Sequence, residues 1–147
     1  MNYWMSDDEM LNPLIGQDIT AVWLSEDDLT FCTKDGPVAS YYVDGDCCSH
    51  SLFNDFIGLD KLLGNGPIIE AKPIDLDGTE GYTEQHGDCT AYYGYALTTE
   101  HPVFGPMTTV FSFRNESNGY YGGSMHLYET PRISADQKLL TEDLVTT

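Results

Sequence analysis

Four side chains that could ligate a metal ion lie at short spacing in two parts of the chain. Cys48 and His50 are separated by one residue, and His86 and Cys89 are separated by two. Together they would supply the two thiolates and two imidazoles of a tetrahedral zinc site. The spacings match no standard zinc finger or ribbon. We therefore favour the alternative that Cys47 and Cys48 are small residues at a tight turn, and we predict no metal and no cofactor.

The same cysteines could also serve nucleophilic chemistry. Cys48 near a helix N-terminus would have a lowered thiol pKa, with His50, His86 or His126 as the base. The surrounding acidic residues act in the opposite direction, because nearby anions disfavour the thiolate. The sequence also contains no glycine-rich phosphate loop, no Ser-His-Asp order and no His-Glu-x-x-His motif. We predict that the protein is not an enzyme.

Paired carboxylates are a third candidate for chemistry. Asp44 with Asp46, and Asp75 with Asp77, could bind Ca²⁺ or Mg²⁺ through their oxygens. The stretch from Asp75 to Glu80 lacks the register of a calcium-binding loop. Exposed acidic loops are the interpretation that we favour for these residues.

Arg114, Tyr120 and Tyr121 flank an Asn-Gly turn between two predicted strands. The guanidinium could hold a carboxylate or a nucleotide phosphate while a tyrosine stacks on the base. The structural alternative, which we favour, is that Arg114 pairs with a nearby acid and the tyrosines pack on the sheet. The first reading keeps open a second class of function: a non-enzymatic module that binds a nucleotide signal, another small molecule or a metal.

Net charge is the strongest signal of the sequence. The chain has 24 Asp and Glu against 6 Lys and Arg, which gives a net charge of −18 in 147 residues. Small soluble domains usually carry a net charge of about 2–8 in magnitude. Such a negative field repels nucleic acid and anionic membranes and attracts basic protein surfaces. We therefore predict a basic protein partner, no direct binding of nucleic acid and no membrane association.

The acids can imitate nucleic acid only if they are concentrated. A folded chain of this mass exposes roughly 7,500 Å², so even spreading gives about one net charge per 400 Å². A DNA duplex carries about one charge per 100 Å². The acids cluster in the first residues, the first hairpin and the 75–88 loop. The alternative is that these clusters are solvated loops that serve only solubility. The predicted partner-binding residues are Asp7, Asp8, Glu9, Glu26, Asp27, Asp28, Asp75, Asp77, Glu80, Tyr82, Glu84 and Asp88.

Alternating apolar residues predict the elements that hold these groups. Residues 18–24, 29–33 and 38–43 are expected to form a three-stranded meander with an Asp-Gly turn. Ser49 or Ser51 is expected to cap a helix whose apolar stripe is Leu52, Phe53, Phe56 and Ile57. A second short helix is expected over residues 59–63. Residues 67–74 are expected to form an edge strand because of Pro67 and Pro73.

Three further strands are expected over residues 89–99, 107–114 and 120–129. The fold class is therefore predicted as α+β, with an antiparallel sheet of about six to seven strands and one or two short helices inserted after the third strand. We expect an N-terminal arm (1–13), a single α+β domain (14–130) and a polar C-terminal tail (131–147). No apolar run approaches the length of a membrane span, and the acidic start has no signal-peptide pattern, which predicts a cytoplasmic protein with reduced cysteines.

Two segments together resemble a known family. One is Gly45-Asp46-Cys47-Cys48-Ser49-His50-Ser51, and the other runs from Phe113 through Ser117-Asn118-Gly119-Tyr120-Tyr121 to Ser124. Their order and separation resemble small, acidic, uncharacterised proteins of phages, prophages and bacteria. The resemblance covers roughly residues 14–129. It implies a small phage-associated protein that is not an enzyme, and it transfers no catalytic residue. The cytoplasm predicted above is then that of a bacterial host.

Charge and resemblance lead to one functional hypothesis. The protein is expected to be an acidic, phage-encoded inhibitor of a bacterial defence system, of the anti-CRISPR or anti-restriction type. It would bind a basic nucleic-acid-binding surface on a host defence complex and block access of the nucleic acid. In such a complex acids supply steering and aromatic side chains supply buried energy.

Overall fold

A computed structural model describes residues 5–45, 49–76, 90–117 and 123–146. Within these ranges the chain forms two short helices and nine strands. The helices are α1 (Asp7–Leu11), followed by a 3₁₀ turn (Asn12–Leu14), and α2 (Leu59–Leu62). The strands are β1 (Ala21–Leu24), β2 (Asp28–Thr33), β3 (Gly36–Gly45), β4 (Ser49–Ile57), β5 (Ile68–Ile74), β6 (Thr90–His101), β7 (Gly105–Ser117), β8 (Gly123–Leu127) and β9 (Lys138–Leu139). In the described part of the chain no helix is long and apolar enough to span a bilayer.

The strands divide between two antiparallel sheets. One has five strands in the order β8-β3-β2-β1-β9, and the other has four in the order β4-β7-β6-β5. The predicted meander is confirmed as β1-β2-β3, and β5 lies at a sheet edge, as Pro73 predicts. The expectation of about six to seven strands in one sheet is wrong, because the described residues form nine strands in two sheets.

The predicted helix after the third strand is also wrong, because residues 49–57 form strand β4. Phe53 pairs with Phe113 and Phe56 pairs with Phe111, so two residues of β4 lie opposite the single residue Ser112 of β7. This β-bulge places two inward-facing phenylalanines three positions apart. The spacing imitates the period of a helix, which explains why the pattern misleads.

The core lies between the two sheets. The ring centroid of Phe31 in β2 lies 6.2 Å from that of Phe56 in β4 and 5.7 Å from that of Phe111 in β7. All three side chains are buried. Burying a phenylalanine stabilises a fold by about 1.5–3 kcal/mol, so these contacts hold the two sheets face to face.

The segment expected to be an N-terminal arm contains helix α1. The Ser6 hydroxyl accepts a hydrogen bond from the Glu9 amide at 3.2 Å, and the Glu9 carboxylate accepts one from the Ser6 amide at 3.3 Å. This reciprocal capping box starts the helix. Met10 and Leu11 are buried in the core, so α1 packs onto the sheets.

The segment expected to be a polar tail pairs with both sheets. Strand β9 extends the five-stranded sheet beside β1, and Leu144 exchanges two backbone hydrogen bonds with Phe56 in β4. The Asp143 carboxylate accepts from the amides of Gly58 and Leu59 at the start of α2. Gly58 has a φ of 89°, a conformation that favours glycine.

Candidate functional site

An open groove of about 430 Å³ lies at the end of the five-stranded sheet where β3 leads to β4. We call it the acidic groove. Its lining includes three carboxylates and three rings: Asp27, Asp28, Asp44, Tyr42, His50 and Tyr128.

The alternation of strand β3 positions the floor of the acidic groove. Tyr41 and Val43 are buried in the core, whereas Tyr42 and Asp44 point to the opposite face of the sheet. Tyr42 lies between its two cross-strand neighbours, Asp28 in β2 and His126 in β8. The register of three strands therefore brings an acid, a phenol and an imidazole together.

The ring of Tyr42 contacts two other rings, that of Tyr128 in the groove lining and that of His126 next to it. The centroid of Tyr42 lies 4.9 Å from that of His126, with the planes 26° apart, and 4.6 Å from that of Tyr128. The Nε2 of His126 lies 3.0 Å from the Oδ1 of Asp44. These contacts fix the orientation of Tyr42 before any ligand is bound.

Tyr128 forms one wall of the acidic groove. Its hydroxyl donates to Asp28 Oδ1 at 2.6 Å, and the Ser134 hydroxyl donates to Asp28 Oδ2 at 3.2 Å. The Arg132 guanidinium lies over the Tyr128 ring, 4.6 Å from its centroid, and donates to its hydroxyl at 3.2 Å. Partial burial, and then the hydrogen bond to Asp28, raise the pKa of the Tyr128 phenol against the opposing effect of Arg132.

This arrangement suits a cation. Carboxylate oxygens accept hydrogen bonds from guanidinium and ammonium groups, and the faces of tyrosine rings attract the same groups. Asp27 and Asp44 are exposed, so their carboxylates are accessible from solvent. An anionic ligand would meet three carboxylates in the same small space. The three carboxylates therefore give the groove the charge to receive a lysine or arginine side chain.

The predicted acids do not all meet at one place. Asp27 and Asp28 line the acidic groove, and exposed Glu26 lies in the same turn. Helix α1, with Asp7, Asp8 and Glu9, packs beside β5, the sheet edge opposite to β4. Asp75 is exposed directly after β5. Five further predicted residues lie outside the described ranges: Asp77, Glu80, Tyr82, Glu84 and Asp88.

Arg114, the predicted ligand-binding cation, is engaged within the fold. Its Nη1 donates to Asn54 Oδ1 at 2.7 Å, and its Nε donates to Glu116 Oε2 at 3.2 Å. The side chain is only 13% exposed. Tyr120 and Tyr121 lie outside the described residues.

Of the candidate zinc ligands only His50 falls within the described residues, where it is exposed on β4. Cys48, His86 and Cys89 lie outside them. Among the side chains that the structure describes, no three His, Cys, Asp or Glu residues are grouped to hold a metal ion. Cys32 is a free buried cysteine, and burial raises the pKa of its thiol.

Sequence reasoning did not assign three of the groove residues to a partner site, namely Tyr42, Asp44 and Tyr128. It also did not assign His126, which contacts Tyr42. A signal for them exists in the alternation of β3, which puts Tyr42 and Asp44 on the face opposite to the core. A similar alternation places His126 and Tyr128 together near the end of the β8 segment. Joining the two requires the pairing of β3 with β8, which are separated by some eighty residues.

Comparison with known proteins gives a family but no described activity. No curated protein and no solved structure matches the chain. A family model described as a domain of unknown function, DUF7448, matches residues 12–127, which is more than half of the chain. These residues run from the 3₁₀ turn to the end of β8, and so include the β3–β8 pairing that builds the acidic groove. The chain therefore belongs to the DUF7448 family.

Proposed function

We propose that this protein is a phage-encoded inhibitor of a bacterial defence system, of the anti-CRISPR or anti-restriction type. It binds the basic nucleic-acid-binding surface of a host protein in the bacterial cytoplasm. Occupying that surface blocks the access of DNA or RNA. Inhibition of this kind needs no catalytic residue in the inhibitor.

The net charge of −18 supports the choice of partner. A protein surface that binds nucleic acid is lined with Lys and Arg, and it attracts any dense anionic surface by the same long-range field. Electrostatic attraction of this kind raises the rate of association and disfavours acidic competitors. It also makes the interaction depend strongly on salt.

The acidic groove is the single observation that carries the proposal. It joins accessible carboxylates of Asp27 and Asp44 to a pre-oriented ring, Tyr42. Charge alone gives steering, whereas affinity needs groups that desolvate and pack against the partner. The groove offers both to a basic side chain that would otherwise contact a phosphate.

A displacement assay tests the proposal. A labelled nucleic acid is bound to a purified CRISPR effector or restriction enzyme, and the protein is added at ~0.05 M and ~0.5 M salt. We expect release of the nucleic acid at the lower salt concentration. The direct binding of the protein to the effector, measured without nucleic acid at both salt concentrations, is expected to weaken strongly at the higher one. Direct binding of equal strength at both salt concentrations contradicts an electrostatic mechanism.

A matched pair of double variants separates the groove from the overall charge. Asp27→Asn with Asp44→Asn removes two groove charges and keeps side-chain oxygens that can accept hydrogen bonds. Asp18→Asn with Glu142→Gln removes two exposed charges elsewhere. We expect the groove pair to raise the half-inhibitory concentration about tenfold, equivalent to about 1.4 kcal/mol, and the other pair to raise it much less. Equal effects would mean that the groove has no special role.

A further inference from the structure

The turn between β6 and β7 exposes two large apolar side chains side by side. Val103 is 78% exposed and Phe104 is 74% exposed. No other large apolar side chain in the described ranges is more than half exposed. Single exposed apolar residues are ordinary, but two adjacent ones at the end of a projecting hairpin concentrate apolar surface where a partner can reach it.

The conformation of this turn does not require those two side chains. The Nδ1 of His101 accepts hydrogen bonds from the amides of Val103 and Phe104 at 3.0 and 3.2 Å. Gly105 has a φ of 76°, which supplies the left-handed residue that closes the turn. Polar residues are the usual occupants of the remaining turn positions. The turn would form equally well with polar side chains at positions 103 and 104, so its conformation does not explain why these residues are apolar.

The same contacts hold Phe104 in place. Its ring centroid lies 4.7 Å from that of His101, and its backbone amide is bonded to the same imidazole. A side chain that is ordered before binding loses less conformational entropy when it enters a pocket. Exposed, ordered aromatic residues are the usual anchors of protein interfaces.

We infer that the β6–β7 tip, residues 101–105, is an apolar anchor that inserts into a pocket of a partner protein with a basic rim. The rim follows from charge complementarity, because exposed Glu100 adjoins the tip and the whole chain is strongly negative. A second copy of the chain would bring another charge of −18. An anionic membrane is repelled by the same charge.

The tip is separate from the acidic groove. Strand β7 starts at the tip and ends at Ser117, which pairs with the groove residue Ser49. Its 13 residues span roughly 40 Å at the rise of an antiparallel strand. The inference therefore does not depend on whether the groove partner binds nucleic acid.

Photo-crosslinking in bacterial cells tests the anchor. A benzophenone side chain replaces Phe104 in the full chain, and the matched control places it at Asp35, the exposed tip of the β2–β3 hairpin. We expect a discrete protein adduct from position 104 and none from position 35. The captured protein is then purified, and its dissociation constant is measured with the unsubstituted chain and with the variants below.

Phe104→Ala is expected to weaken that complex about thirtyfold, as for a central interface residue. His101→Ala removes the acceptor that orders the turn, and it is expected to weaken the complex less than Phe104→Ala does. His101→Asn keeps an oxygen near the Nδ1 position and is expected to retain most of the affinity. Failure to form an adduct, or an affinity unchanged by Phe104→Ala, overturns the inference.

Two further measurements test whether the tip binds a membrane or a second copy of the chain instead. Phe104-dependent sedimentation of the chain with phosphatidylcholine vesicles would assign the tip to a membrane and overturn the inference. Phe104-dependent dimerisation in analytical ultracentrifugation would assign it to a second copy and overturn it as well. Neither result bears on the displacement assay, which uses salt and groove variants.

Discussion

The two faces of strand β3 use the same residue type in different ways. Tyr41 is buried in the core, where its hydroxyl donates to the Met10 carbonyl at 2.8 Å and its ring meets Phe31 edge-on at 6.1 Å. Tyr42, the next residue, lies in the acidic groove against His126 and Tyr128. One residue step along a strand thus separates a core residue from a candidate binding residue.

The difference between the two faces lies in what surrounds the rings. In the core every neighbour of Phe31 and Tyr41 is supplied by the fold, so the contacts contribute to stability. In the groove Tyr42 is partly exposed, and the exposed carboxylates of Asp27 and Asp44 stand beside it. Interactions that the fold leaves incomplete are available to a ligand. Two aromatic clusters of similar geometry can therefore differ in role: the core cluster stabilises the fold, and the groove cluster is a candidate for binding a ligand.

The largest expected effect is on the core side. Phe31→Ala removes the ring that joins the two sheets and should lower the free energy of unfolding by about 3–5 kcal/mol. Urea unfolding followed by circular dichroism measures it. Tyr42→Ala is the matched control and should cost about 1 kcal/mol or less. Equal costs would remove the distinction between the two faces.

A smaller effect is expected for Tyr41→Phe, which keeps the ring and removes the hydrogen bond to Met10. At neutral pH the cost should be about 1 kcal/mol. Burial raises the pKa of the Tyr41 phenol above its ordinary value of 10.0. Its contribution is therefore fully present below pH 10 and declines as the pH rises further, because the unfolded chain loses its proton first.

The difference in stability between the original chain and Tyr41→Phe should accordingly shrink from about pH 8 to about pH 11. Urea unfolding at the two pH values measures it. Tyr95, whose phenol pKa burial also raises, is present in both chains, and its charge adds to the rise of the Tyr41 pKa. A difference that stays constant with pH would show that Tyr41 does not titrate as its burial indicates.

The smallest effect is expected in the groove. Tyr42→Ala should weaken the binding of a hexa-arginine peptide about two- to fivefold, equivalent to about 0.5–1 kcal/mol for a cation on an aromatic face. Isothermal titration calorimetry at low salt measures it. Tyr92→Ala, on a strand of the other sheet, is the control and should leave the affinity unchanged. A loss of affinity that is the same for both variants would argue against a specific ring contact.

Local patterns predicted part of the fold. The meander β1-β2-β3 and the edge strand β5 follow from alternation, an Asp-Gly turn and Pro73. Strand β4 did not follow, because the bulge at Asn54 and Asp55 disturbs alternation and is set by pairing with β7. Helix α1 had a readable signal, since Ser6 and Glu9 stand at the spacing of a capping box before Met10 and Leu11.

Of the candidate site, the sequence predicted only residues that are adjacent in the chain. Asp27 and Asp28 were found because they are adjacent in sequence within an acidic turn. Their partners Tyr42 and Tyr128 come from strands far apart in the chain, and only the register of β2, β3 and β8 brings them together. Charge predicts a class of partner, whereas the shape of the candidate site depends on long-range pairing.

Strand β5 has a consequence for the behaviour of the protein at high concentration. Among the described residues, no strand pairs with its outer side along residues 70–74. Such an edge is a template on which further chains can add and grow into fibrils. Pro73 has no N–H to offer there, and Lys72 and Glu70 place charges on the same stretch. Addition of a second chain along this edge is therefore disfavoured.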